Sequence, residues 1–515
     1  MKSVRDHVKS VAELAKIAAD AKADGKTVVL AHGAFDLIHL GHVRHLEKAR
    51  KLGDVLIATV TADAFVNKGP GRPVFSEELR AEMLAALEYV DWAGINFEAT
   101  AENLLKAVKP NIYVKGSDYE SASDDPTGKI VDEKNLVEKF GGELVITDDL
   151  TFSSSTLINQ HLLTRSSEVQ MFLGTLRDEG GYEKLIQLID QTKNLKVLFV
   201  GETILDEYKY VTPLGKTAKD SIISTHFKDS ELFAGGVIAA ANHAASFCAE
   251  VDIVTVVGGS DDYNDFIRST LAPNVTLSEI ELENRPTIRK RRYVHSPTRT
   301  RSLLQKIFEV SYIDDQPLSS SEYQTLNSEI AARADKADVV VVCDFGHGMI
   351  EAPIINTLIE RSKFLAVNTQ ANSANMGYNR ITKYPKVDFV CIDEREAQLA
   401  AADKHAEIQA LLEQKLIPLI ECDNFVVTRG REGSLCWGRD SGVVTVPALE
   451  YEPVDTMGAG DAFLAVTALL LAVGGGVREA GFIGNIVGGI KTGLIGHRAN
   501  INKGDVKKII ASLLK

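Results

Sequence analysis

Apolar residues recur at helical spacing over residues 11–23, and after the break at Gly25 residues 27–31 form an unbroken apolar run of the kind found in a buried strand. A second strand-like run, 54–60, follows Gly53 and completes a parallel strand-helix-strand unit. Further runs at 111–114, 143–147, 195–200 and 339–343 predict more buried strands. Residues 211–231 alternate β-branched and polar side chains, which predicts a small separate sheet. The longest apolar run, 462–473, predicts a buried helix that Gly474, Gly475 and Gly476 end. Strands alternating with helices in this way predict an α/β protein with parallel sheets. The pattern is interrupted between 162 and 194, where polar helical pieces at 166–177 and 182–192 flank Glu179-Gly180-Gly181, a flexible joint on this reading.

A chain of 515 residues exceeds one ordinary core, so two to four domains are expected. Apolar content of 45% with 25% charged residues is that of a globular protein. The formal charge of −14 argues against a nucleic-acid binder, which neutralises phosphates with lysine and arginine. Cys248, Cys343, Cys391, Cys422 and Cys436 are scattered and never spaced C-x-x-C, so neither a disulfide framework nor a zinc site is expected. A reducing cytoplasm suits them. Met1 to His7 lack the apolar core of a signal peptide and no run has the length and purity of a membrane span, so no membrane partner is expected.

Two stretches carry chemistry. Gly458, Ala459 and Gly460 turn the backbone at the head of the long apolar run, where free amides favour a phosphate and Asp461 can take a proton from an attacking hydroxyl. A Gly-rich turn capped by an aspartate fits the bare tripeptide equally well. Near the N-terminus, the strand at 27–31 runs through His32-Gly33-Ala34-Phe35-Asp36 into His39-Leu40-Gly41-His42, the strand-turn-helix geometry at which α/β sheets bind nucleotides. His39 and His42 stand three apart, so two imidazoles on one face of a helical turn can grip a triphosphate and stabilise charge at its α-phosphorus.

The longer string Asp455-Thr456-Met457-Gly458-Ala459-Gly460-Asp461-Ala462-Phe463 resembles the D-T-x-G-A-G-D signature of the ribokinase-like (PfkB) carbohydrate kinases. That resemblance implies that Gly458, Ala459 and Gly460 form the anion hole and that Asp461 is the base acting on a sugar hydroxyl. It also implies a sugar contact at Asp206, a sugar-side turn at Gly235-Gly236, a nucleotide-side turn carrying Thr428 and Gly430, and Asn485 beside adenine. Asp393 and Glu396 stand where the family's N-x-x-E motif organises Mg²⁺ indirectly, with Asp393 replacing asparagine. Other departures are Ala239 and Ala241 after Gly-Gly, with Asn242 displaced onto another face, His347 for a lysine, and Asn368 for an aspartate. The cluster Arg289 to Arg292, with Arg299 and Arg301, reads either as a holder of a distal substrate phosphate or as a charged strand edge.

Gly33, Phe35 and Asp36 with His39-Leu40-Gly41-His42 resemble the G-x-F-D and H-x-G-H signature of the cytidylyltransferase-like nucleotidyltransferases. By that resemblance Lys68, Arg72 and Arg80 take nucleotide phosphates, as do Ser154, Ser155 and Thr156, while Lys115 and Asp118 of Val-Lys-Gly-Ser-Asp-Tyr face the substrate. From the residues alone, Arg80 can instead be a helix-surface partner of Glu77, and the serines a helix cap. These features resemble the adenylyltransferase half of the bifunctional ADP-heptose synthases, in which the kinase comes first; here the order is reversed.

The resemblance therefore implies a Rossmann-like nucleotidyltransferase domain at 1–163, a helical linker at 164–194, and a ribokinase-like α/β kinase with a small β lid at 195–515. The implied protein is a bifunctional sugar kinase and sugar-1-phosphate nucleotidyltransferase using ATP and Mg²⁺, acting on a sugar phosphate and nucleotides as a homodimer. A CTP-dependent enzyme for another sugar or polyol phosphate is the nearest alternative, and a sugar-binding regulatory pseudoenzyme is a third. A riboflavin kinase/FAD synthetase also places a nucleotidyltransferase first, but its kinase half carries no D-T-x-G-A-G-D.

Overall fold

The computed structural model describes residues 3–66, 73–116, 129–147, 166–217, 220, 222–295, 303–314, 316–449 and 451–514, and all that follows concerns these. The chain divides into two compact units, one of 1–166 with 507–515 and one of 167–506. No helix among the described residues is long and apolar enough to cross a membrane.

In the first unit a six-stranded parallel sheet runs in the order Val8–Lys9, Trp92–Asn96, Val55–Thr61, Val28–Gly33, Ile112–Gly116, Glu143–Thr147. Alternation along Val28–Gly33 explains its burial on both faces. Val28 and Leu30 pack with Leu14, Ala18, Leu104 and Leu105, whereas Val29 and Ala31 pack with Leu46, Ala49, Ala81 and Leu84. The chain leaves Val28–Gly33 toward one side and returns on the other at Ile112–Gly116. The strand order therefore reverses at the C-terminal end of Val28–Gly33, the crevice where such sheets bind ligands.

In the second unit a nine-stranded sheet runs Val275–Leu282, Glu250–Gly258, Lys196–Gly201, Val339–Asp344, Leu365–Thr369, Phe389–Asp393, Asn424–Thr428, Ser434–Gly438, Gly442–Val446, parallel throughout except for the two antiparallel pairings that join the last three strands. Its order reverses between Lys196–Gly201 and Val339–Asp344. A four-stranded sheet, Gln305–Tyr312, Ile288–His295, Thr203–Lys216, Ile223–Gly236, forms the lid anticipated from the alternating stretch. Ile288–His295 lies inside that sheet, so the arginine-rich stretch is not a strand edge. Its alternation buries Ile288, Lys290, Arg292 and Val294 on one face.

The polar pieces expected as a loose joint are the helices Ser167–Asp178 and Gly181–Gln191, and both belong to the second unit. Their stripes bury Val169, Leu173, Leu176, Leu185 and Ile189, the Phe172 ring lies 5.7 Å from Phe482, and Arg478 bonds Glu179. A Gly pair at a helix junction looks like a hinge in sequence, but Gly180 only supplies the left-handed turn (φ 69°) that folds one helix back on the other. Leu185→Ala, at a fully buried position, should therefore destabilise residues 167–506 by about 2–5 kcal/mol in calorimetric unfolding; a free joint would leave that transition where it is.

Candidate active sites

The longest apolar helix, Ala459–Ala472, starts from Gly458 in the left-handed conformation (φ 72°). Its first-turn amides have no partner within the helix, and the space over Gly460 is open, since a side chain there would meet nothing within 4 Å. Asp461 sits in that first turn, half-buried. Burial pushes its carboxyl up to about 6; Asp206 adds to the rise, while His497, Lys491 and Lys290 oppose it. A carboxylate whose ionisation falls just below neutrality suits proton abstraction.

Asp206, whose charge acts on Asp461, stands on the lid strand Thr203–Lys216 and is paired with Arg292, and its Oδ2 is 3.5 Å from His497 Nε2. Burial would raise Asp206, but Arg292 and His497 outweigh it and hold the carboxyl well below the usual range. Gly235 is required by this packing, because a Cβ there would stand 2.3 Å from Asp206 Oδ2. Arg292 is also 2.8 Å from Glu309, so its charge is spent on protein carboxylates. Lys290 is different. Its side chain is 6% exposed, the charges acting on it are those of Asp206, Arg292, Glu309 and Glu202, and no described residue accepts a hydrogen bond from it. Arg289 and Arg291 are engaged with Glu207 and the Tyr312 ring, while Arg299 and Arg301 lie outside the described residues.

Asp393 caps the helix Glu394–Ala400 by accepting the Glu396 amide at 2.7 Å, and Glu396 returns the bond to the Asp393 amide at 2.8 Å. The other Glu396 oxygen takes the Ala371 amide at 3.0 Å. Burial and the Asp393 charge push Glu396 upward. Both Glu396 oxygens are thus occupied and one Asp393 oxygen is left, which fits a metal carried on nucleotide phosphates through water rather than a protein cage. Among the described residues no His, Cys, Asp and Glu group could hold a metal ion by itself. Asn485 bonds the Val446 and Pro447 carbonyls at 3.1 and 3.2 Å and so fixes the loop at the end of the sheet. Thr428 ends the strand that leads into Gly430 (φ 54°). Asn242 donates to the Thr270 carbonyl at 3.0 Å and accepts the Ala272 amide at 2.9 Å.

In the first unit, His39 caps the helix Leu40–Lys51, with Nδ1 accepting the Gly41 amide at 3.1 Å, which leaves the proton on Nε2. The His39 and His42 rings lie 4.1 Å apart. Phe35 holds a left-handed backbone (φ 43°) that a bulky residue rarely adopts, and its ring rests 5.2 Å from His42.

Arg80 and Asp36, both expected on the nucleotide side, are engaged by the protein itself. Arg80 is fully buried and donates to the carbonyls of Phe75, Ala34 and Thr61 and to Asp63, so it clamps the turns around the site instead of reaching a nucleotide. Asp36, 1% exposed, accepts the Val74 amide at 2.6 Å; a carboxylate so placed repels phosphate and orders the loop. Lys115 is paired with Glu133 at 3.1 Å and is 8% exposed, so its charge is already answered. Beside it, burial and Lys115 hold His32 down to about 3. Gly33 ends the strand that delivers these residues. Lys68, Arg72, Asp118, Ser154, Ser155 and Thr156 lie outside the described residues.

Lys491 and His497, whose charges act on Asp461, were not anticipated from the sequence. Arg289 to Arg292 were anticipated as a basic cluster, and the strict alternation of 288–294 places Lys290 and Arg292 on its buried face; His497, beyond the end of a helix, carries no such signal.

A model of the pfkB family of carbohydrate kinases matches residues 194–503, and a cytidylyltransferase-like model matches residues 30–161. The "Bifunctional protein HldE" of Syntrophotalea carbinolica is 43% identical over 143 residues, 27% of this chain and 28% of that protein. The protein of the same name from Pseudomonas syringae pv. syringae is 46% identical over 142 residues, again 27% and 28%. The matched stretch spans less than a third of the length of these relatives. Phosphofructokinase-2 from Escherichia coli, in its tetrameric inhibited form, covers 62% of this chain and 100% of its own at a TM-score of 0.49 and 15% identity.

The raised Asp461 carboxyl has a thermodynamic sign. A group whose folded value exceeds its unfolded one binds its proton more tightly in the folded state, so stability is lost as pH rises from about 4 to about 6 and the cost is complete by neutrality. Asp461→Asn should therefore raise the melting temperature of the second unit at pH 7.5, with a smaller gain at pH 5; an equal gain at both values would contradict the assignment.

Proposed function

The chain belongs to the pfkB family of carbohydrate kinases through residues 194–503, and from that membership we propose a bifunctional enzyme that phosphorylates a sugar in the second unit and activates a sugar 1-phosphate in the first. The observation that carries the reading is Asp461 in the first turn of the Ala459–Ala472 helix, where the space over Gly460 is open, within the field of Asp206 and His497. The acceptor hydroxyl loses its proton to the Asp461 carboxylate as its oxygen bonds to the γ-phosphorus of ATP. The bond from that phosphorus to the bridging oxygen breaks, and ADP leaves. Amides of the first turn take the charge that builds on the transferred group. Asp206 orients sugar hydroxyls. Mg²⁺ bound to the nucleotide supplies charge neutralisation, with Asp393 and Glu396 as the residues on its side of the site.

The acceptor we favour is a sugar phosphate, because the Lys290 ammonium meets Asp206, Glu309 and Glu202 only through space and gives its hydrogen bonds to no described residue, which leaves them for an anion on the substrate. Phosphorylation at the anomeric hydroxyl would give a product that the first unit can use. There a sugar 1-phosphate oxygen attacks the α-phosphorus of a nucleoside triphosphate and pyrophosphate leaves, with the His39 and His42 imidazoles stabilising the charge. ATP is the favoured nucleotide and the product an ADP-sugar of the heptose type. CTP is the second reading, supported by the cytidylyltransferase-like match at 30–161. A homodimer formed through the lid is part of the same proposal.

Separate sites predict separable losses. Asp461→Asn should reduce sugar phosphorylation at least about 10³-fold while pyrophosphate release from the sugar 1-phosphate continues, and His39→Ala with His42→Ala should do the reverse. Loss of both activities in either variant would refute independent sites. Lys290→Met should raise the KM for the sugar phosphate by roughly 10–100-fold, with little effect on an unphosphorylated analogue. Mass spectrometry of products from sugar phosphates offered with ATP or CTP identifies the nucleotide.

A further inference from the structure

Lys491 is fully buried, near the end of the Val477–Thr492 helix, and its ammonium donates to the carbonyls of Met457 at 2.7 Å and Gly496 at 2.8 Å. Both acceptors are neutral, so the charge is solvated by protein dipoles and compensated only across space by Asp455, Asp461 and Asp206. Burying a cation is costly unless it is paired and hydrogen-bonded, and here the hydrogen bonds go to carbonyls alone. The two carbonyls belong to the two loops that shape the anion hole. Met457 immediately precedes the left-handed Gly458, and Gly496 donates its own amide to Asp455 at 3.0 Å. A Cβ on Gly458 would stand 3.4 Å from Lys491 Cε and 2.7 Å from His497 Cε1, so the turn rests directly on these two side chains.

We propose that Lys491 is a built-in monovalent cation of the phosphoryl-transfer site, a positioning residue that ties the Met457 and Gly496 carbonyls together and sets the first-turn amides for the transferred group. This rests on the kinase reading of residues 455–461. Its ammonium is held by the Met457 and Gly496 carbonyls, so it acts through the turn. It acts in two ways: its bond to the Met457 carbonyl fixes the peptide that leads into Gly458, and its positive charge lies beneath the amides where negative charge accumulates. Interactions preorganised for that charge act on the transition state more than on the bound substrates, so the effect belongs in kcat.

The test uses the full chain with Lys491→Met, which keeps the methylenes and removes the charge, and Lys491→Ala, which leaves room for a small cation. Kinase kcat should fall roughly 10–100-fold in both, with the acceptor KM within about threefold of the parent. Ammonium chloride should restore the alanine variant at least about fivefold, while choline chloride at the same ionic strength and ammonium with the methionine variant should not. A kcat within threefold of the parent in both variants, equal effects of ammonium and choline on the alanine variant, or a methionine variant that does not fold would each overturn the assignment. A parent chain that phosphorylates no carbohydrate would overturn the kinase reading and this proposal with it, whereas an active parent with unaffected variants overturns this proposal alone.

Discussion

Asp455 is the tie on which the kinase site depends. Its carboxylate, 1% exposed, receives the Tyr208 hydroxyl at 2.6 Å, the Gly496 amide at 3.0 Å and the Met457 amide at 3.2 Å, and Lys306 lies 3.1 Å away. These partners come from two lid strands, from the turn that opens the catalytic helix, and from the loop after the helix that follows it. Burial alone would push such a carboxyl up; Lys306, the hydroxyl and the amides reverse that and keep it ionised. One buried negative charge thus holds four segments in register around Asp461.

The same economy organises the first unit with the opposite sign. Arg80 is a buried cation whose donors end on three backbone carbonyls and Asp63, and those carbonyls belong to the turns at the C-terminal ends of the strands Val28–Gly33 and Val55–Thr61 and to the loop at Phe75. The imidazole pair is presented from a helix start that this clamp and the Asp36 bond to Val74 keep in place. In both units a single buried charge ties together the turns around the candidate site.

Most of the architecture was legible because the strands are buried on both faces and read as unbroken apolar runs. The helix Val11–Ala23 and the strand Glu143–Thr147 stand where periodicity put them. The candidate site was legible only where chemistry and backbone coincide, as at Gly458 to Asp461, whose turn needs glycine and whose helix needs a polar head. Arg80 was misread because an E-x-x-R spacing on a helix looks identical whether the guanidinium meets water or three carbonyls. Lys491 and His497 were invisible for a related reason: their significance comes from which loop folds over them, and neither periodicity nor a local motif records that. The linker was misjudged because the partner surface of its amphipathic stripes lies some three hundred positions away, at Gly475, Arg478 and Phe482.

The lid has a consequence for how the chain comes to hold a ligand at all. Arg292 meets Asp206 across 86 positions and Tyr208 meets Asp455 across 247, so the candidate site joins segments that are remote in sequence. Closing such long loops is entropically expensive and is deferred in folding until the body between them has condensed. The surroundings of Asp206 and Asp455 therefore depend on the whole unit being folded, and any ligand held there would shift that unit toward its native ensemble by mass action.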